Sequence, residues 1–168
     1  MATSKPVIGI ILGSDSDLPT VEAATKVLKE FDLDYEVRVL SAHRTPDLVA
    51  EYARSAAERG LKVLLAAAGL SAALPGVLAA HTPLPVIGIP VAAGTLGGID
   101  ALLAISQMPP GVPVAAVTIG SPGARNAALL AVRILALSDS GLAAKLHAFI
   151  QKQKEEVIAR DRKIQDSL

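Results

Sequence analysis

The sequence predicts a three-layer α/β/α domain on a mainly parallel five-stranded sheet, with a long C-terminal helix. Three observations carry that prediction. Apolar runs of strand length recur five times along 168 residues, about half of which are apolar. Segments with helical spacing lie between those runs, joined by short connections bearing Gly or Pro, the pattern of strands that run parallel with helices on both faces. From Val63 to Ala124 the only charged side chain is Asp100, which suits strands buried on both faces and helices lacking a solvated side.

The first strand is expected in PVIGIIL at 6–12, followed by the loop GSDSD at 13–17 and a helix in VEAATKVLKEF. YEVRVL at 35–40 is the second strand, and it gives way to SAHRTP. The helix in PDLVAEYARSAAERG has Thr45 as its expected N-cap, Pro46 in its first turn and Gly60 at its end. KVLLAAA at 62–68, PVIGIP at 85–90 and VPVAAVTI at 112–119 complete the set of strands. The final segment keeps Leu142, Leu146, Phe149, Ile150, Val157 and Ile164 on a helical stripe. The expectation is one domain over 1–168, in which 140–168 is a helix that reaches a neighbouring subunit.

Sixteen basic and sixteen acidic side chains cancel, so no bulk field attracts nucleic acid and no polybasic stretch holds a membrane surface. Gly69, Pro75, Gly76, Pro83, Pro85 and Pro90 interrupt the uncharged middle before a membrane span accumulates. There is no cysteine, which removes disulfides and thiolate metal sites. The first residues lack the pattern of a secretion signal. The expected location is the cytoplasm.

In an open parallel sheet, ligands bind beyond the carboxyl ends of the strands, which directs attention to three loops. In GSDSD, the glycine, the hydroxyls and the helix N-terminal amides suit an anion, with Ser14 as the first contact. Asp17 is either a helix N-cap or an acceptor for ribose hydroxyls. In SAHRTP, Arg44 offers two parallel hydrogen bonds to a phosphate or carboxylate, and His43 brings an imidazole, the side chain whose proton exchanges most readily near neutrality. The third loop, AAGLSAALPG at 67–76, contains no charge and suits a pocket of backbone amides and small apolar walls. His81, at an expected helix end, and His147, on the last helix, fit structural roles. No metal-ligand spacing joins the three histidines.

Taken in order, GSDSD, SAHRTP, the AG followed by ALPG, LPVIGIPV, DALLAISQMPPGVPV and ARNAALLAVRIL resemble the PurE family of purine biosynthesis, across nearly everything from Val7 to Leu137. The resemblance implies a homo-octamer that needs no cofactor or metal. It also implies transfer of a carboxylate from the exocyclic nitrogen of an aminoimidazole ribonucleotide to a ring carbon, with carbon dioxide released and recaptured in the site. By motif position it places the catalytic histidine at His43 and substrate-binding residues at Ser14, Asp17 and Arg44, with Ser41, Gly69, Ser71 and Leu74 expected to complete the substrate-binding set.

One position departs from the mutase pattern, where a second histidine usually precedes Leu-Pro-Gly and this chain has Ala73. The family's second class, AIR carboxylases that use carbon dioxide directly, also lacks that histidine and carries an AGRSN-like loop, echoed here only by Ser71. Arg44, where that class usually has lysine, and SQMPPG favour the mutase. A flavodoxin-like electron carrier would share the fold, but its ring is normally flanked by aromatic side chains that these loops lack. A receiver-type module would need an acidic residue after the third strand, where the sequence is AAAG. A non-catalytic nucleotide-binding assembly protein would tolerate loss of His43.

Overall fold

A computed structural model describes residues 5–168. The chain divides into two compact units, the first ending at Ala131 and the second covering Val132–Leu168.

The first unit holds the sheet. Strands β1 (Ile8–Leu12), β2 (Tyr35–Val39), β3 (Val63–Ala68), β4 (Val86–Pro90) and β5 (Ala115–Ala116) lie in the order β2-β1-β3-β4-β5. Every pairing is parallel. Every residue of β1, β3 and β4 is buried, as expected for strands that read as unbroken apolar runs. The chain leaves β1 in one direction to form β2 and returns on the other side of β1 to form β3. The loops after β1 and β3 therefore diverge and open a crevice at the carboxyl edge, the switch point at which such sheets bind ligands.

Helix α1 (Leu18–Glu30) follows a short 3-10 turn at Asp15–Asp17, and α2 (Pro46–Ala56), α3 (Leu74–His81) and α4 (Ile99–Ser106) connect the later strands. Helix α5 (Gly120–Ala136) begins in this unit. On the α2 side of the sheet, Tyr52 lies over Gly9 so closely that a Cβ there would strike its hydroxyl. That hydroxyl donates to Glu36 at 2.7 Å, and Arg59 binds the same carboxylate oxygen at 2.7 Å while its guanidinium stacks 4.6 Å from the Tyr52 ring. Burial alone would raise the Glu36 carboxyl, but the hydrogen bonds from Arg59 and Tyr52 and the Arg59 charge outweigh it and hold Glu36 below its ordinary range. This cluster fixes α2, and so the loop that precedes it, against the edge of the sheet.

Three local expectations need correction. The fifth strand, expected over 112–119, is reduced to Ala115–Ala116, and both residues are exposed. Pro113 has no N–H to offer a ladder, and the strand lies at a sheet edge. Helix α2 ends at Ala56 rather than at Gly60, which closes the following turn with φ +102. Thr45 occupies the N-cap position of α2, but its side chain makes no cap hydrogen bond.

The second unit contains the end of α5 and then α6 (Ser140–Gln165). Asp139 caps α6 by accepting a hydrogen bond from Leu142 N–H at 2.9 Å. With 26 residues, α6 extends about 39 Å at 1.5 Å per residue. Leu142 and Leu146 are buried, whereas every residue from Ile150 onward is exposed. Among the described residues no helix is long and apolar enough to cross a membrane.

Candidate active site

The loops after β1, β2 and β3 enclose one cavity of about 380 Å³ at the carboxyl edge of the sheet. Ser14, Asp17, Ser41, His43, Arg44, Gly69, Ser71 and Leu74 all line it, so every site residue expected from the sequence faces the same space. His81 and His147 do not line it.

The first loop is tied by its own hydroxyls. Ser14 has extended backbone and accepts hydrogen bonds from the Ser16 N–H at 3.3 Å and the Ser16 hydroxyl at 2.8 Å, and its own hydroxyl donates to Asp15 at 3.2 Å. Asp17 stands at the N-cap position of α1, yet its carboxylate caps nothing. It is only 8% exposed, the one charged side chain among the described residues that is buried. Burial pushes its carboxyl above the ordinary range and the nearby Asp15 charge adds to that, against hydrogen bonds from Ser14 N–H and the Ser16 side chain. Of its two expected roles, the local geometry leaves the carboxylate turned to the cavity rather than to the helix.

The second loop is a closed turn. Thr45 N–H donates to the Ser41 carbonyl at 2.8 Å. The Thr45 hydroxyl donates to that same carbonyl at 3.1 Å and accepts from Ser41 N–H at 3.0 Å. The Ser41 hydroxyl accepts from the Arg44 backbone N–H at 3.3 Å and from Arg44 Nε at 3.4 Å. Ser41 and Thr45 thus clamp the two residues between which His43 and Arg44 project. Both projecting side chains are exposed. The terminal nitrogens of Arg44 and the His43 imidazole make no hydrogen bond with any described residue, so they are available to a ligand.

The third loop supplies apolar wall. Gly69, Ala72, Ala73 and Leu74 line the cavity together with Ala68 and Leu70. Ala73 carries no proton donor, and His81, at the C-terminal end of α3, does not replace one. The His81 side chain makes no hydrogen bond with any described residue. The cavity therefore contains a single imidazole. Two contributors escaped the sequence. Ala93, from the loop after β4, completes the wall. Leu70 adopts φ +55, a conformation for which a leucine gives no local signal.

The arrangement offers hydroxyls and a guanidinium for an anion, a buried carboxylate for hydroxyl groups, one exchangeable proton carrier, and an uncharged wall facing them. Comparisons with known proteins bear on its chemistry. Residues 7–156 match the protein family described as AIR carboxylase. The N5-carboxyaminoimidazole ribonucleotide mutase of Mycobacterium tuberculosis is 54% identical over 98% of this chain and 93% of its own length. The phosphoribosylaminoimidazole carboxylase of Saccharomyces cerevisiae is 52% identical over 98% of this chain, which spans 28% of that longer protein. The crystal structure of Treponema denticola PurE superposes with a TM-score of 0.85 at 30% identity, covering 94% of this chain and 98% of that one.

Proposed function

We propose that this chain, which belongs to the PurE (AIR carboxylase) family, acts in purine biosynthesis as an N5-carboxyaminoimidazole ribonucleotide mutase. It converts that substrate to 4-carboxy-5-aminoimidazole ribonucleotide. The observation that carries this reading is the single cavity in which one imidazole, one guanidinium and one buried carboxylate face an uncharged loop.

Arg44 and Ser14 hold the anionic end of the nucleotide, since a guanidinium and oriented hydroxyls bind phosphate through charge-assisted hydrogen bonds. Asp17 accepts from ribose hydroxyls, and Ser41 orients Arg44 through its Nε. His43 moves the proton. Delivery of a proton to the exocyclic nitrogen lets the nitrogen–carbon bond break and frees carbon dioxide. The ring carbon then attacks carbon dioxide, a carbon–carbon bond forms, and the proton on that carbon leaves to His43. A group alternating between acid and base serves both events. Gly69, Ser71 and Leu74 face the reacting carbon from the third loop, where the absence of charge and the small apolar wall around the one hydroxyl disfavour bulk water.

Direct AIR carboxylation is the second reading, favoured by one observation: the position before Leu74-Pro75-Gly76 is Ala73. A single experiment separates the two. Initial rates are compared with N5-carboxyaminoimidazole ribonucleotide in the absence of bicarbonate and with aminoimidazole ribonucleotide at physiological bicarbonate. The mutase reading expects efficient turnover only with the first, and the reverse result would overturn it.

The working form is a cytoplasmic homo-oligomer, by family likeness an octamer. Leu96, Ile99 and Leu103 are each more than half exposed around α4, and α6 exposes Val157 and Ile164 to a similar degree. Apolar side chains concentrated in this way mark association surfaces. Light scattering should give a mass well above that of one 17.2 kDa chain, and a monomer at micromolar concentration would refute it.

A further inference from the structure

Leu70 sits in the left-handed backbone region, with φ +55. A residue with a Cβ enters that region at a conformational penalty, and for a bulky aliphatic one it is an outlier. Neither a special turn residue nor burial explains it, because the Leu70 side chain is 55% exposed. What it does touch is specific. A Cβ added at Gly94 would lie 2.7 Å from Leu70 Cδ2, so the leucine rests on bare backbone of the loop after β4. One residue earlier, a Cβ at Gly69 would lie 3.2 Å from the Ala93 Cβ. The carbonyl of Leu70 accepts a hydrogen bond from Ala72 N–H at 2.9 Å, which fixes the tight bend. The loops after β3 and β4 thus meet at two adjacent points, and Leu70, held in the unfavourable φ, is part of the cavity lining. Conformations of this kind persist where the surrounding structure imposes them, and they concentrate at ligand clamps.

We propose that Leu70 is a positioning residue that retains carbon dioxide between its release and its recapture. Its side chain, propped against Gly94, closes the apolar side of the compartment formed by Ala72, Ala73 and Ala93, facing the nucleotide held by the first two loops. This rests on the mutase reading given above. Between the two bond changes the carbon is a small neutral molecule that has lost the carboxylate charge, so charge-assisted bonds no longer hold it strongly and steric closure is what keeps it beside the ring carbon. An apolar closure also keeps water from displacing it.

The test follows the carbon. Substrate carrying a ¹³C label in its exocyclic carboxylate is converted in unlabelled bicarbonate, and label in the product is measured alongside free aminoimidazole ribonucleotide, both corrected for the enzyme-free reaction. The parent should keep the label. Leu70→Gly, which removes the side chain and relieves the backbone, should lose label several-fold more often and release free aminoimidazole ribonucleotide, with an unfolding midpoint no lower than the parent's. Leu70→Asn tolerates the same φ and has similar size but is polar, so it should leak as well and keeps the experiment decisive if glycine loosens the loop. Full retention in either folded variant would overturn the role of Leu70 while leaving the mutase reading intact. Loss of label by the parent itself would overturn both.

Discussion

Replacing Thr45 by valine tests whether the turn that presents His43 and Arg44 is built by this hydroxyl. Valine keeps the branched shape and removes one donor and one acceptor. The structure assigns that oxygen two partners, the Ser41 carbonyl at 3.1 Å and the Ser41 N–H at 3.0 Å. The carbonyl keeps its bond from Thr45 N–H at 2.8 Å, so the Ser41 N–H is the group left without a partner. At about 0.5 to 1.5 kcal/mol net for each hydrogen bond, the loss is about 1 to 3 kcal/mol. Helix capping adds nothing to this figure, because the Thr45 side chain caps nothing. Expressed wholly in the transition state, it is roughly a 5- to 150-fold fall in kcat/KM. Expressed in folding, it lowers the urea midpoint instead. Both quantities should be measured for Thr45→Val and Thr45→Ser. The serine variant restores the hydroxyl and should recover most of either loss. A valine variant with parental kcat/KM and parental midpoint would show that the turn does not depend on the hydroxyl.

Three further outcomes follow from the site. His43→Asn should keep the oligomer mass and nucleotide affinity but lose roughly a hundredfold or more in kcat, the scale of a general acid–base group, whereas His81→Asn should lose far less; initial rates with light scattering decide this. Arg44→Ala should weaken nucleotide binding by about 1.5 to 3 kcal/mol in titration calorimetry and barely move the unfolding midpoint, since the side chain is exposed. For Asp17 the folded carboxyl titrates above its unfolded value. Its contribution to stability is therefore fully present below the unfolded pKa and is lost as pH rises through the folded one. Asp17→Asn removes that dependence, so its urea midpoint should gain on the parent's as pH rises above the ordinary carboxylate range, while nucleotide affinity falls. A pH-independent difference would contradict the burial of this carboxylate.

The sheet was legible because three of its strands are buried on both faces and read as unbroken apolar runs. Their lengths and flanking glycines and prolines set them apart from helices without any need for periodicity. The fifth strand was not legible to its ends, because Pro113 and its place at the exposed sheet edge cut the ladder while the apolar run continues. The cavity lining was legible where chemistry and position coincide: a histidine and an arginine at a strand end lead directly to it. Thr45 misled, and Asp17 left two roles open, for one physical reason. Asp and Thr side chains in loops compete among several nearby backbone groups, and a helix cap is only one of the choices. Thr45 turned back to Ser41, and Asp17 turned into the crevice. Leu70 and Ala93 carry no titratable or hydrogen-bonding group, so only the backbone angle of one and the place of the other give them away.

The single imidazole also bears on the missing second histidine. The proposed reaction needs a proton at the exocyclic nitrogen before carbon dioxide leaves, and it surrenders one from the ring carbon after carbon dioxide is recaptured. These events are consecutive and opposite. An imidazolium that gives its proton in the first is the neutral base required by the second, and after the second it is an imidazolium again. The proton cycle closes within one residue, with no exchange with water and no partner at Ala73. What one residue cannot do is reach two atoms from a rigid position. His43, exposed and held by no hydrogen bond among the described residues, lies on a turn whose backbone is clamped by Ser41 and Thr45. A fixed backbone with a free ring is the combination that lets one imidazole serve both ends of the carboxylate's path.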